Sequence, residues 1–158
     1  MSVHIDEESV IKANDQFWEQ MLAMRLEHVP SPDLCCVDAG HLLASVQLSG
    51  TWTGRIEVRL SDGLAQSATA AMLMQPPESV AEADRLDASK EIANMIAGTI
   101  KSCLPRPCAM TVPESRVESE RFCEPPRTEY TLIVGFHHAD GDLMVRVSEQ
   151  EPGSETIQ

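Results

Sequence analysis

The sequence predicts a single α+β domain in which a largely antiparallel sheet packs against helices. Three observations carry this. Helical periodicity appears in three separate stretches, period-two strand patterns lie between and after them, and the last two strand patterns are joined through Asp140-Gly141, a hairpin signal. A length of 158 residues suits one domain and leaves little room for a second. The domain is expected over residues 1–148, followed by an acidic, disordered tail over 149–158.

Residues 6–26 place Val10, Phe17, Met21 and Leu22 near one helical face, with Ile11, Asn14 and Trp18 beside them. Asp6, Glu7 and Glu8 suit the start of that helix, and Pro30-Ser31-Pro32-Asp33 is expected to stop it. Trp18, Met21 and Met24 read as core or dimer contacts. Two strands follow, at 41–48 and 52–60, the second alternating Ile56, Val58 and Leu60 with Arg55, Glu57 and Arg59. Ser49-Gly50-Thr51 reads as the turn between them. Ser61 or Asp62 would cap a second helix through Leu64, Ala68, Ala71 and Met72, ended by Gln75-Pro76-Pro77-Glu78. An acidic connector then runs to Asp84.

A third helix is expected over 86–104, broken by Pro105-Arg106-Pro107. Residues 108–112 suit a short strand, and 115–126 a polar loop. Tyr130, Leu132, Val134 and Phe136 alternate, as do Leu143, Val145 and Val147. The hydrophobic strand at 132–136 is expected at a sheet edge, where it would need covering.

Composition narrows the function. The chain carries 25 acids against 12 bases, a net charge of −13, which argues against binding nucleic acid or an anionic membrane. Its longest apolar runs, at 70–74 and 132–136, are about five residues, far below the ~20 of a spanning helix. The first residues show neither a basic nor an apolar signal region. Five cysteines, an odd number, do not suggest a disulfide framework, so a cytoplasmic, reduced protein is expected. Cys103 and Cys108 are too loosely spaced for a zinc site, and Cys103 is expected on a buried helix face. His137-His138 with Asp140 reads as a solvated turn, and no hydrolase nucleophile motif is present.

The third helix is the segment with chemistry. At about 100° per residue, Asp87, Glu91, Asn94, Gly98 and Lys101 fall within a stripe roughly 80° wide. Ile92, Ile96, Ile100 and Cys103 centre on the opposite side, which would be buried. A carboxylate and an amide therefore stand together on a rigid, outward face. Gly98 beside them costs ~1 kcal/mol relative to Ala and calls for a reason, such as close approach by a partner or by the second helix. Spacing alone does not separate this site from a solvated helix face.

The residues Asp87-x-x-x-Glu91-x-x-Asn94, with Pro113 further on, resemble the motif of the CheC/CheX/FliY family of chemotaxis phosphatases. Asn94-Met-Ile-Ala-Gly98, Gly50-Thr-Trp-Thr-Gly54, Ala70-Ala-Met-Leu and Met110-Thr-Val-Pro113 look like other parts of it, and the likeness spans residues 42–147. A single Glu-x-x-Asn makes the chain similar to the CheX branch, since CheC and FliY look like two-site proteins. The resemblance implies hydrolysis of the aspartyl phosphate of a CheY-type response regulator. It implies that Asn94 orients the attacking water and that Glu91 pairs with the receiver's lysine. Asp87, Gly98 and Pro113 would be supporting or partner-binding residues, Asp87 through capping or orienting the helix start. No metal or cofactor of the chain's own is expected, Mg²⁺ being supplied by the receiver. A homodimer paired through sheet strands is also implied. The alternative reading is a non-catalytic docking or scaffold module of the same fold.

Overall fold

A sheet whose two faces differ in chemistry organises this computed structural model, which describes residues 5–30 and 33–151. The seven-stranded sheet runs β1 (Glu27–Val29), β8 (Thr131–His138), β9 (Gly141–Glu149), β4 (Gly54–Leu60), β3 (Leu42–Gly50) and β5 (Cys108–Met110), with β6 (Glu114–Val117) also on β3. Two further strands, β2 (Cys35–Val37) and β7 (Phe122–Glu124), form a separate ribbon. Every strand pair among the described residues is antiparallel.

The helices are α1 (Glu7–Asp15), α2 (Asp62–Leu73) and α3 (Glu82–Ser102). All three bury their apolar sides against one sheet face. Register explains the match: Ile56, Val58 and Leu60 stand opposite Val147, Val145 and Leu143, and Val134 opposite Val145, so the apolar alternation lines up across strands. Leu42, Ala44, Val46 and Leu48 extend the same layer, and Trp18 and Phe17 close it from the α1 side.

Several expectations require correction. Asp6 does cap α1, accepting a bond from the Ser9 backbone N–H at 2.8 Å, and that bond holds its carboxyl below the ordinary range. The α-helix nevertheless ends at Asp15 and continues as a π-helical segment, Gln16–Met21. Ala23, in a left-handed conformation at φ 53°, turns the chain, and Glu27–Val29 becomes β1, so the helix stops before the prolines (Ser31 and Pro32 lie outside the described residues). Met21 is exposed, whereas Trp18 is fully buried and Met24 packs partly on the core.

Ser61 sits at the N-cap of α2 without capping it. Its hydroxyl accepts from the Asp142 backbone N–H at 2.9 Å and faces the Asp142 carbonyl at 3.3 Å. This seam needs Gly141 at φ +152°, where a Cβ would fall 2.7 Å from that of Ser61. The acidic connector is partly helical, because α3 begins at Glu82 after Ala81. Residues 115–126 are not simply loop, since they include β7 and most of β6. The Leu132–Phe136 run is no edge, because β8 lies between β1 and β9. β9 continues through Glu149, and residues 152–158 of the expected tail lie outside the described residues.

The other sheet face is ionic and lidded by the β2–β7 ribbon. Arg146 bridges Glu57 at 2.7 Å and Glu124 at 2.9 Å, and Arg59 lies 3.8 Å from Glu57 with its guanidinium stacked 3.9 Å over the Phe122 ring. Cys35 and Val37 of the ribbon pack on Ile133 and Met144 of the sheet as a small apolar cluster. Directly opposed in register, Cys36 and Cys123 are disulfide-bonded, which corrects the expectation that all cysteines are unpaired. The strands that bring them together were not anticipated, so neither was the bond.

His41 closes this layer. Its Nδ1 faces the Asp38 carbonyl at 2.8 Å and its Nε2 faces Arg59 Nη1 at 2.9 Å, so the ring must be neutral, with the proton on Nδ1. Burial, aided by Arg59, pushes its pKa below the ordinary histidine value, against the Asp38 hydrogen bond and Glu118, which push it up. A depressed pKa means the unfolded chain binds the proton first. The stability His41 contributes is therefore complete above about pH 6.5 and is lost as pH falls toward the folded-state value. Thermal melts of wild type and His41→Gln across that window should show a steeper acid-side loss in wild type; parallel profiles would refute the role.

Candidate functional site

The orientation of α3 decides which of its residues can meet another molecule. Ala88, Ile92, Ala93, Ile96, Ala97 and Ile100 are buried on the sheet, each isoleucine contributing ~1.5–3 kcal/mol of apolar burial. A rotation that exposed the opposite stripe less would expose them. The start of the helix is pinned as well. Arg85 lies 2.8 Å from the Asp62 carboxylate and donates to the Val80 carbonyl at 3.1 Å, while Ser115 of β6 donates to the Leu86 carbonyl at 3.0 Å. Ser89, fully buried, donates to the same carbonyl at 2.7 Å.

Outward from this anchored face stand Asp87 and Glu91, both exposed, followed by Asn94, Gly98 and Lys101, all half-buried. The stripe read from spacing is thus continuous on one helix. Among the described residues, neither the Glu91 carboxylate nor the Asn94 amide has a hydrogen-bond or ion-pair partner. Both are presented without internal competition. An amide both donates and accepts, so one such group can hold a water and a second oxygen at once.

Asp87 is placed differently from expectation. It lies within α3, well past Ala81 at the N-cap, and therefore cannot cap the start; its carboxylate is 3.7 Å from Lys90 Nζ. Pro113 precedes β6, two residues before Ser115, and so borders the N-terminal half of α3 without belonging to the stripe. Cys103 is the C-cap of α3 and is exposed, because the backbone leaves the helix there and Leu104 turns inward instead. Gly98 has nothing within 4 Å of where a Cβ would stand, so the second helix does not require it. Among the described residues no group of three or more His, Cys, Asp or Glu is positioned to hold a metal ion.

The contributions of Ser115 and Arg85 were not read from the sequence. A Ser one residue after an acid in a polar stretch carries no signal of its own, and Arg85 falls between the expected connector and the expected helix.

Fold and site together define an α+β domain that presents a carboxylate–amide pair on the exposed stripe of a rigid helix. The family "Chemotaxis phosphatase CheX" matches residues 42–137, and the chain belongs to it. Solved structures agree in fold. The chemotaxis protein CheX from Vibrio vulnificus superposes with a TM-score of 0.74 at 17% identity, covering 91% of this chain and 95% of that one. The CheX of the CheX–CheY–BeF₃–Mg²⁺ complex from Borrelia burgdorferi gives 0.70 at 17% identity, with 94% and 100% covered. A CheC-like superfamily protein from Shewanella sp. PV-4 gives 0.71 at 15% identity, with 93% and 100% covered. No curated protein matches the sequence.

The open space at Gly98 yields a stability prediction. Gly98→Ala adds a methyl group that clashes with nothing and removes a mid-helix glycine, so it should stabilise the fold by ~1 kcal/mol. Urea titration would measure the change; destabilisation would mean that the helix packs against something at this position.

Proposed function

We propose that this chain hydrolyses the aspartyl phosphate of a CheY-type receiver domain, with Asn94 as the water-positioning group and Glu91 as the docking group. The observation that carries this is the unpartnered Glu91–Asn94 pair on an exposed, anchored helix in a member of the CheX family. A neighbour in fold was solved in complex with CheY, BeF₃ and Mg²⁺, which supports a receiver as partner.

The chemistry asks little of the phosphatase. An acyl phosphate already has a good leaving group, so in-line attack needs positioning more than a strong base. Asn94 accepts from or donates to a water held opposite the scissile bond. The water oxygen bonds to phosphorus, the bond from phosphorus to the aspartyl oxygen breaks with its electron pair going to the aspartate carboxylate, and inorganic phosphate leaves with both of the water's protons, one of which it shares with solvent. Glu91, one turn away, forms an ion pair with the receiver's active-site lysine and sets the helix in register. Mg²⁺ arrives with the receiver and neutralises phosphoryl charge there. Gly98 and Pro113 border the approach, and Asp87 adds negative charge beside Glu91.

The same reading places the protein in the cytoplasm, where receivers act. No helix among the described residues is long and apolar enough to cross a membrane. It also includes a homodimer joined through sheet strands. Support comes from the β5–β6 side of the sheet, where Val112 and Val117 are exposed.

Release of phosphate from a phosphorylated receiver tests the assignment. Asn94→Ala should lower kcat by about two orders of magnitude with receiver binding retained, in line with the loss of one transition-state contact. Glu91→Ala should raise KM about tenfold, or about 1.4 kcal/mol of docking energy. Wild type that binds the receiver without accelerating its decay would make this a docking module.

A further inference from the structure

Beyond Glu91 and Asn94, the stripe ends in a charged groove. An open groove of about 440 Å³ lies against the C-terminal half of α3, lined by Gly98, Lys101, Ser102, Arg106 and Cys108 among others. Its cations, with Arg121 and Arg127, are the four basic side chains without a partner among the described residues. Eight of the twelve Lys and Arg side chains engage a carboxylate, a histidine or another group: Lys12, Arg25, Arg59, Arg85, Lys90, Arg116, Arg146 and Arg55. Lys101 and Arg106 have no hydrogen-bond or ion-pair partner among the described residues, although acids outnumber bases 25 to 12.

Lys101 is packed on the helix, and the backbone that carries Arg106 is held. Lys101 is half-buried on the last turn of α3. Arg106 lies between two prolines whose carbonyls are tied to the β3–β4 turn: Thr51 Oγ1 donates to Pro105 at 2.5 Å, and the Thr51 backbone N–H donates to Pro107 at 3.0 Å. Gly50 lets that segment approach, since a Cβ there would fall 2.2 Å from the Pro107 carbonyl oxygen. Gly98 leaves the groove wall bare beside Asn94 without any internal packing reason.

We infer that Lys101 and Arg106 bind a carboxylate-bearing segment of the partner protein, so that the α3 stripe is a bipolar dock that fixes the partner's orientation. The inference rests on the receiver reading of Glu91 and Asn94. Glu91 takes a cation at one end, and the groove takes an anion about 15 Å further along the helix axis, ten residues at about 1.5 Å each, with Asn94 between. A chain of net charge −13 repels an acidic partner at long range. Within a Debye length of about 8 Å at physiological salt, the local cations dominate instead, so they decide whether such a segment can settle. Two opposite charges at fixed separation admit one orientation and reject its reverse.

Phosphate-release kinetics on a phosphorylated receiver, with binding to the BeF₃⁻-activated receiver, test this. Lys101→Glu and Arg106→Glu should each raise KM and Kd about tenfold, leave kcat within about twofold, and weaken the dependence of KM on NaCl; Lys101→Arg should behave as wild type. Arg127→Glu, a charge reversal away from the groove, is the control. If wild type is active and the groove variants match the control, the groove assignment fails while the phosphatase reading stands. If wild type neither accelerates decay nor binds any receiver, both fail. Competition by millimolar inorganic phosphate that disappears in the Lys101→Glu/Arg106→Glu double variant would reassign the groove to the phosphate product.

Discussion

The burial of Ile92, Ile96 and Ile100 against the sheet is the constraint on which the rest of this molecule depends. An α-helix has one rotational freedom about its axis, and three fully buried isoleucines on one side remove it. Once that face is fixed, Glu91, Asn94, Gly98 and Lys101 have no choice but to point away from the core. Arg85 on Asp62 and Ser115 on the Leu86 carbonyl then fix the helix along its axis as well. The site is therefore positioned by apolar burial and by a few polar ties remote from its chemistry. Its own polar groups are spared structural duty, which is why they can remain unpartnered.

The two faces of the sheet divide the labour. On the helical side, aliphatic residues of β3, β4, β8 and β9 form one dry layer. On the other side, Glu57, Arg59, Arg146 and His41 are half or fully enclosed, and the β2–β7 ribbon supplies Glu124 and the Phe122 ring to complete their bonding. Buried charges are tolerable only when paired, so the ribbon must stay closed for β4 to stay dry. The disulfide between Cys36 and Cys123 joins the two strands of that ribbon across the sheet from α3. The titrating histidine and the disulfide thus lie on one face, and the proposed partner site lies on the other.

How much of this was legible in the sequence follows from how local each cause is. The α3 stripe, β4 and the β8–β9 hairpin are written in periodicity over seven or more residues, and periodicity is a local property. The short strands β1, β2, β6 and β7 have three or four residues each, and their pairing comes from distant segments, so no local pattern announces them. Ser61 illustrates the same limit. Its residue type favours a cap, yet a strand from the other end of the chain captures its hydroxyl. The acids before Asp87 resemble a connector, which sets it near the expected helix start; α3 begins four residues earlier, at Glu82, and takes Asp87 inside. Arg106 reads as part of a helix-breaking loop, and the tie on its backbone depends on Thr51, far away in sequence.

On the proposed reading, the absence of a nucleophile motif and the acidity of the chain belong to one design. Removing a phosphoryl group from aspartate needs an oriented water and a held partner, and neither requires a strong base in the phosphatase. The work therefore passes to recognition, where a protein of net charge −13 meets a partner carrying phosphate and carboxylates. Attraction between whole molecules cannot serve, because the net charge opposes it. What remains is charge order at short range: a carboxylate, an amide, a bare glycine and a lysine, set along one helix whose rotation the core has fixed, with Arg106 just past its end. Reordering those groups at constant net charge would leave the fold intact and abolish the register between water and phosphorus, which is why the order of charges along α3 carries more of the function than their sum.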